Sequence, residues 1–494
     1  KQPTANRAIM KREDGGIYMS RYNWNRLISE RRIPDRPKTA NLSSLRSEVE
    51  SDYYRIINSA SFRRLQDKTQ VFPLDRSDFV RTRLTHSLEV SAIAKFIGKQ
   101  VCAQIIEQQL EEEAINTHDI VETLACASLL HDIGNPPFGH FGESAIQNWF
   151  STHLQTIAYD ETQTLYDVLS EQQRNDLCFY EGNAQSLRIV TRLHRLSASE
   201  GMHLTSGVLD TILKYPCSSS EKKQELQKPK EERSLLRKKH SYFYSERDIY
   251  ETIKNNTGTS GGRNPLTFIL EAADDLAYTF SDLEDGYNKG LYTYGDLCQQ
   301  LTACGDQAGL QRLEKLLARC QADPHAVNDP YRSAVFNWLT VKQLYCISEA
   351  SKAFIAHYEA IMQGTFEQEL LAVCSEAAVI RQLKNFAFDR VYQTRSIIKL
   401  ELMGNEIISF LLERFVDALL HFDSDRKQNE IQEKYCRLLS PNYIECYHAS
   451  VKDLTDDRDK VYYRLLLAAD FIAGMTDTYA KTLYQEIKGI GALR

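Results

Sequence analysis

The sequence predicts an all-α fold, on three observations. Apolar residues recur at three- and four-residue intervals through 88–110, 266–284, 341–362, 406–421 and 460–488. No stretch alternates apolar and polar residues over the length of a strand. Helix-start signals stand where periodic stretches begin, most plainly at Asn264-Pro265, an N-cap followed by a proline at the first helical position.

In chain order, residues 1–40 are basic and polar, carry Pro34 and Pro37, and read as an arm or extended lead-in. Val90, Ile93, Ala94, Ile97 and Val101 fall at helical spacing behind His86, which therefore opens an amphipathic helix. Residues 121–130 are apolar enough for a buried helix, which Gly134 and the pair Pro136-Pro137 stop. The stretch 216–240 is charged and poor in apolar residues and is expected to be an exposed insert. Residues 255–262, rich in Asn, Thr, Ser and Gly, read as a flexible loop. Beyond it, Leu266, Ile269, Leu270, Ala273 and Ala277 form one stripe of a long helix. No internal repeat is present.

Bulk properties narrow the function classes. The 494 residues are 42% hydrophobic and 26% charged, as in globular proteins, and no run approaches the roughly 18 apolar residues of a membrane span. The net charge of −7 excludes a polycation that binds nucleic acid over its whole surface. The 11 cysteines contain no CxxC pair, which fits reduced thiols. With no signal-peptide pattern at the start, a cytoplasmic location is expected.

The most informative local feature is His131-Asp132. An imidazole and a carboxylate at a buried helix end are costly unless something compensates, and a divalent cation would. His86 and Asp274 are the partners in view. Asp274 lies on the apolar stripe and Asp275 one step off it, so Asp274 is the better ligand candidate. Taken singly, each has an ordinary structural reading: a capping doublet, a satisfied core histidine, a buried acceptor. Together they make a mixed N/O set suited to Mn, Fe, Ni, Co or Mg. No cysteine lies in these motifs, which excludes a thiolate zinc site. His140 and Glu143 follow three residues apart and can pair, holding the histidine as an acid or activating a water.

In order and context, His86, His131-Asp132 and Asp274 resemble the four metal ligands of the HD-domain phosphohydrolases. The surrounding words resemble the deoxyguanosine triphosphate triphosphohydrolase family, in its long enterobacterial form. They are the run 63–73, Arg81-Thr82-Arg83-Leu84-Thr85-His86-Ser87, the run 131–143, Glu181-Gly182-Asn183-Ala184-Gln185, Ala272-Ala273-Asp274-Asp275 and Gly474-Met475-Thr476-Asp477. The resemblance spans about residues 50–480. It implies an arm over 1–45, an HD-domain helical core over 46–300 and a C-terminal helical half over 301–494 that contributes to the base pocket and to oligomer contacts.

It further implies hydrolysis of dGTP, with other dNTPs in view, to a deoxynucleoside and inorganic triphosphate by water attack at the α-phosphorus. One divalent metal ion per subunit would serve, Mg, Mn or another first-row metal. His140 would be catalytic with Glu143 as its partner. Arg83, Lys214 and Asn183 would bind the phosphates and substrate, and Gln70 and Asp282 the sugar. Tyr278, one turn beyond Asp274, would pack where a 2′-hydroxyl would stand. Val71 would pack on the base, Tyr392 would stack where relatives have Phe, and Glu401 would accept from the donor edge of guanine. Relatives bring arginines across a subunit interface near 424–440. Here Arg426, Lys434 and Arg437 stand, and Lys434 cannot form the bidentate fork of the expected Arg. A homo-oligomer, a hexamer, is implied, and the basic arm keeps single-stranded DNA in view as a further partner. Another HD-domain nucleotide phosphohydrolase and a nucleic-acid-binding regulator on the same fold are the alternatives.

Overall fold

The computed structural model describes residues 21–34, 47–71, 81–196, 199–322 and 329–491. Ten helices carry the argument: α1 (Arg83–Glu107), α2 (Thr117–Leu130), α3 (His140–His153), α4 (Gly182–Arg188), α5 (Pro265–Asn288), α6 (Pro330–Ala356), α7 (Arg395–Leu420), α8 (Pro441–Val451), α9 (Asp457–Ala473) and α10 (Asp477–Lys488). The fold is all-α. Among the described residues the strand content is one antiparallel pair, Arg195–Leu196 with Ser199–Glu200.

Local chemistry accounts for the helix starts. Thr82 and Thr85 form a reciprocal capping box at the head of α1. Asn264 Oδ1 accepts from Leu266 N at 2.9 Å, and Pro265 opens α5. The periodic stretch 460–488 is two helices, because Thr476 breaks the run and caps α10 by accepting from Tyr479 N. The stretch 341–362 likewise divides into α6 and the short helix Tyr358–Met362.

α1 packs against α2, α5 and α6. α7 packs on α3, α9 and α10, so the C-terminal half closes over the helix that begins with His140. One continuous apolar core runs through both halves. Val71, Val391 and Ile397 form a small separate cluster. Between the halves, buried Arg188 of α4 makes a bidentate pair with Asp470 of α9 and a 2.8 Å bond to Glu246. No helix among the described residues is long and apolar enough to cross a membrane.

Two sequence expectations are corrected. Of the lead-in, only 21–34 is described, and it is packed: Trp24, Leu27 and Ile33 are buried, and Trp24 Nε1 donates to the Tyr358 hydroxyl at 2.8 Å. The stretch 216–240 is not a free insert. Ser218 caps the helix Ser219–Leu226, Cys217, Lys222, Glu225 and His240 are buried, and only 226–233 is exposed throughout. Aliphatic stems and paired charges did the burying, which hydropathy does not register.

Candidate metal centre and active site

α2 ends at Leu130, and His131 is its C-cap. The chain then turns tightly under α4. A Cβ on Gly134 would lie 2.2 Å from the Gly182 carbonyl oxygen, so only glycine fits this approach. Phe138 and Gly139 follow with φ of +63° and +59°. A left-handed phenylalanine is strained and must be held. Its ring is buried and its N–H donates to Asp477 Oδ1 at 2.9 Å. The other oxygen of Asp477 accepts from Thr69 N and Oγ1 at 3.1 and 2.9 Å. The C-terminal motif thus clamps the turn that carries His131-Asp132 to the segment that carries Gln70 and Val71.

The ligating atoms of His86, His131 and Asp132 all lie within 4.8 Å of one another. Asp274 Oδ1 is 3.1 Å from His86 Nε2 and 3.4 Å from His131 Nε2, so α5 brings the fourth donor. The His131 Nδ1–H donates to the Ser128 carbonyl at 2.7 Å, which orients Nε2 toward the other donors, and that buried atom makes no hydrogen bond. Burial draws the His131 imidazole down, but Asp132 and then Asp274 reverse this and lift it to about 9. Burial acts on Asp132 in the opposite sense and would raise it, yet the Arg83 guanidinium and the two imidazoles hold it far below the usual carboxylate range. Arg83 donates to Asp132 Oδ2, and Asn135 Nδ2 to Oδ1 at 2.6 Å. Two carboxylates and two imidazoles, one of them with an orphaned ring nitrogen, in a place that draws positive charge, fit a divalent cation.

The donor set opens into a cavity of about 440 Å³. Gln70, Val71, Arg83, Asn183, Lys214, Tyr278, Tyr392 and His140 line it with His131, Asp132 and Asp274. His140 opens α3 with its side chain 74% exposed, and its Nδ1 sits 3.1 Å from Glu143 Oε2. Glu143 is buried, and its other oxygen accepts from Gly182 N at 2.6 Å. Burial pushes its carboxyl up, but the His140 hydrogen bond, Lys239 and the Gly182 N–H bring it down to about 2. Lys214 lies 3.3 Å from Glu271; burial opposes its charge, and Glu271 more than offsets this, raising it. Asn183 Nδ2 donates to Glu181 Oε1 at 2.8 Å.

Some expected residues stand apart from the cavity wall. Asp282 lies beneath it, fully buried, where the Tyr392 hydroxyl donates to its Oδ2. Glu401, half-buried on α7, does not line the cavity; Ile397, one turn before it, packs with Val71 and Val391. Lys434 and Arg437 pair with Glu430 and Glu433 on their own helix, and Arg426 lies over the Tyr159 ring. The sequence reading missed Tyr215, Lys238 and Lys239, all of which line the cavity. The only signal was the basic run Arg237-Lys238-Lys239-His240, which reads equally as a solvated end.

Residues 83–202 match the HD domain, and 372–486 match the phosphohydrolase-associated domain. A Listeria innocua protein named deoxyguanosinetriphosphate triphosphohydrolase-like is 40% identical over 483 residues, covering 94% of this chain and 99% of its own length. The chain belongs to the deoxyguanosinetriphosphate triphosphohydrolase family of HD-domain phosphohydrolases. A Synechocystis protein of the same "-like" name is 32% identical over 479 residues, 94% of this chain and 99% of its own. The deoxyguanosinetriphosphate triphosphohydrolase of Klebsiella pneumoniae is 33% identical over 515 residues, 96% of this chain and 99% of its own. As a member of this family the protein is a hydrolase of the metal-dependent HD class. His86, His131, Asp132, His140 and Glu143 fall inside the HD match. Asp274 falls between the two matched domains, and Tyr392 and Glu401 fall in the second.

Proposed function

We propose that the protein hydrolyses dGTP, and other dNTPs less well, to a deoxynucleoside and inorganic triphosphate. One observation carries the reading: His131, Asp132 and Asp274 of the four-donor centre, His140 of the His140–Glu143 pair and the lysines Lys214, Lys238 and Lys239 line one cavity large enough for a nucleotide. His86, His131, Asp132 and Asp274 would hold one divalent ion, Mn, Mg or another first-row metal. When bound, such an ion supplies Lewis acidity toward a phosphoryl oxygen and lowers the pKa of water.

The chain's own residues supply the rest. Water adds at the α-phosphorus, the bond to the 5′ oxygen breaks, one proton leaves the water and one reaches the 5′ oxygen. His140, anchored through Nδ1 on the Glu143 carboxylate, presents Nε2 to the cavity to move one of these protons. Lys214, Arg83, Lys238 and Lys239 neutralise a triphosphate, and Asn183 and Gln70 add polar contacts. Tyr278 fills the 2′ side of the sugar, with Lys384 5.4 Å from its ring centre and paired with Asp275. Val71 and Tyr392 bracket the base; Glu401 stands off this wall, so a contact with the donor edge requires its side chain to swing inward. The family names carried by the Listeria and Klebsiella relatives support the substrate class.

The test is to incubate the protein with each dNTP and with GTP, in Mg or Mn, and to identify the phosphate product. Tripolyphosphate from dGTP bears the proposal out. Pyrophosphate or orthophosphate assigns another HD-domain hydrolase, and absence of turnover assigns a binding protein. We also propose a homo-oligomer, a hexamer, which light scattering at micromolar concentration tests; a monomer overturns it.

A further inference from the structure

A second cavity, of about 90 Å³, shares no lining residue with the catalytic one and has Ile133 in its wall. The HD core forms one wall with Arg64, Lys68 and His194, and the C-terminal half forms the other with Ser440, Asn442 and Tyr443. Nothing in the catalytic reading uses it. Its volume suits a tetrahedral oxyanion and a water or two, since one water needs only about 10–15 Å³ by this measure. It is too small for a nucleoside.

Its chemistry is one-sided. Among the described residues, no carboxylate lines it. Arg64 sits at the mouth, where one Nη nitrogen reaches the Tyr443 hydroxyl at 3.2 Å and the Gly474 carbonyl at 3.1 Å. Lys68 is fully enclosed, its ammonium donating to the Asn135 and Ala473 carbonyls at 2.5 and 2.9 Å. The first turn of α8 faces the cavity, with Ser440 as N-cap, and the Ser440 hydroxyl makes no capping bond. An eleven-residue helix presents its positive end there. Independently, His194 is 8% exposed, and its buried Nε2 has no hydrogen-bond partner. A buried ring nitrogen without a partner carries a desolvation penalty that an incoming acceptor would remove. Burial and then the guanidiniums of Arg63 and Arg64 lower the basicity of this imidazole, a surplus of positive field that an anion would relieve.

We propose that this cavity is a second, non-catalytic oxyanion site that takes one phosphate-class group, held by Arg64, His194, the Ser440 hydroxyl and the N-terminus of α8. Its occupant touches both halves of the chain. Ile133, in its wall, follows the metal-binding Asp132 directly. Free phosphate and the terminal phosphoryl of a polyphosphate share this chemistry.

Equilibrium dialysis of the full-length, Mg-loaded protein against radiolabelled inorganic phosphate tests the site. Two variants separate it from the catalytic cavity. Lys214→Ala should weaken phosphate in the catalytic cavity and leave one bound equivalent per chain. Asn442→Asp, at an exposed helix position that favours a carboxylate, should keep the fold and weaken that remaining equivalent at least about tenfold by like-charge repulsion. His194→Phe should remove it. Tripolyphosphate that displaces the remaining equivalent more effectively than phosphate assigns a terminal phosphoryl group, and failure to displace it assigns free phosphate. The proposal is overturned if Lys214→Ala abolishes all phosphate binding, or if Asn442→Asp and His194→Phe bind phosphate as the wild type does. Neither result depends on which nucleotide the catalytic cavity accepts.

Discussion

Lys239 Nζ lies 2.8 Å from Glu181 Oε1, and from there it also reaches Glu143 Oε2 at 3.7 Å. One ammonium serves two buried carboxylates. Glu181 nevertheless stays high, at about 7, because burial and the Glu143 charge outweigh the lysine. Glu143 is held low, at about 2, and so remains ionised to anchor His140.

Lys239→Met should therefore raise the Glu143 carboxyl. A depressed carboxyl contributes its charge above its pKa and loses it as pH falls through that value, so a raised pKa brings the loss to higher pH. The acid limb of the kcat profile should move upward in Lys239→Met and return toward the wild type in Lys239→Arg. A pH–rate series on both variants reads this, and an unmoved acid limb would show that Lys239 contacts only substrate.

His131→Ala and Asp132→Ala should lose metal and activity together, since each removes one of four donors and opens the site to water. His140→Ala should retain metal and nucleotide binding and lose turnover by roughly 10²–10⁴-fold, the range of a general acid–base group. Metal analysis beside steady-state kinetics separates the two behaviours. Stoichiometric metal with full turnover in Asp132→Ala would sink the donor assignment, and a wild-type rate in His140→Ala would make that residue structural.

Tyr278→Ala should lower dGTP turnover and narrow the gap in kcat/KM between dGTP and GTP, because the ring fills the 2′ side of the sugar. Glu401→Ala should lower dGTP use more than dATP use, by on the order of 1–3 kcal/mol for hydrogen bonds to a charged acceptor. An unchanged dGTP/GTP ratio in the first variant, or equal losses for both bases in the second, would contradict the pocket assignment while leaving the metal centre intact.

Asp470→Ala should be the most destabilising of these substitutions, by about 3–5 kcal/mol, because it leaves the buried Arg188 charge without its bidentate partner. Denaturant unfolding at pH 7 measures this. A change under about 1 kcal/mol, the range of exposed ion pairs, would mean that Glu246 alone satisfies the guanidinium.

Local pattern determined the helical class and the start of α5 at Asn264-Pro265, because apolar period and capping act over a few residues. The burial argument that favoured Asp274 over Asp275 is reversed in the fold, where Asp275 is the more buried and pairs with Lys384 while Asp274 is partly open beside His86 and His131. Spacing also marked the His131-Asp132 doublet and the His140–Glu143 pair. Only the tertiary structure decided which groups meet. Lys239 joins Glu143 across nearly a hundred residues, Asp477 clamps the strained Phe138 turn, and Ser128 sets the His131 tautomer through a backbone carbonyl that no side-chain pattern records. It also buried the ends of the charged stretch 216–240 and left Glu401 off the cavity wall. Burial and pairing of charge depend on which distant surface a segment lands against, and composition read along the chain contains no such distance.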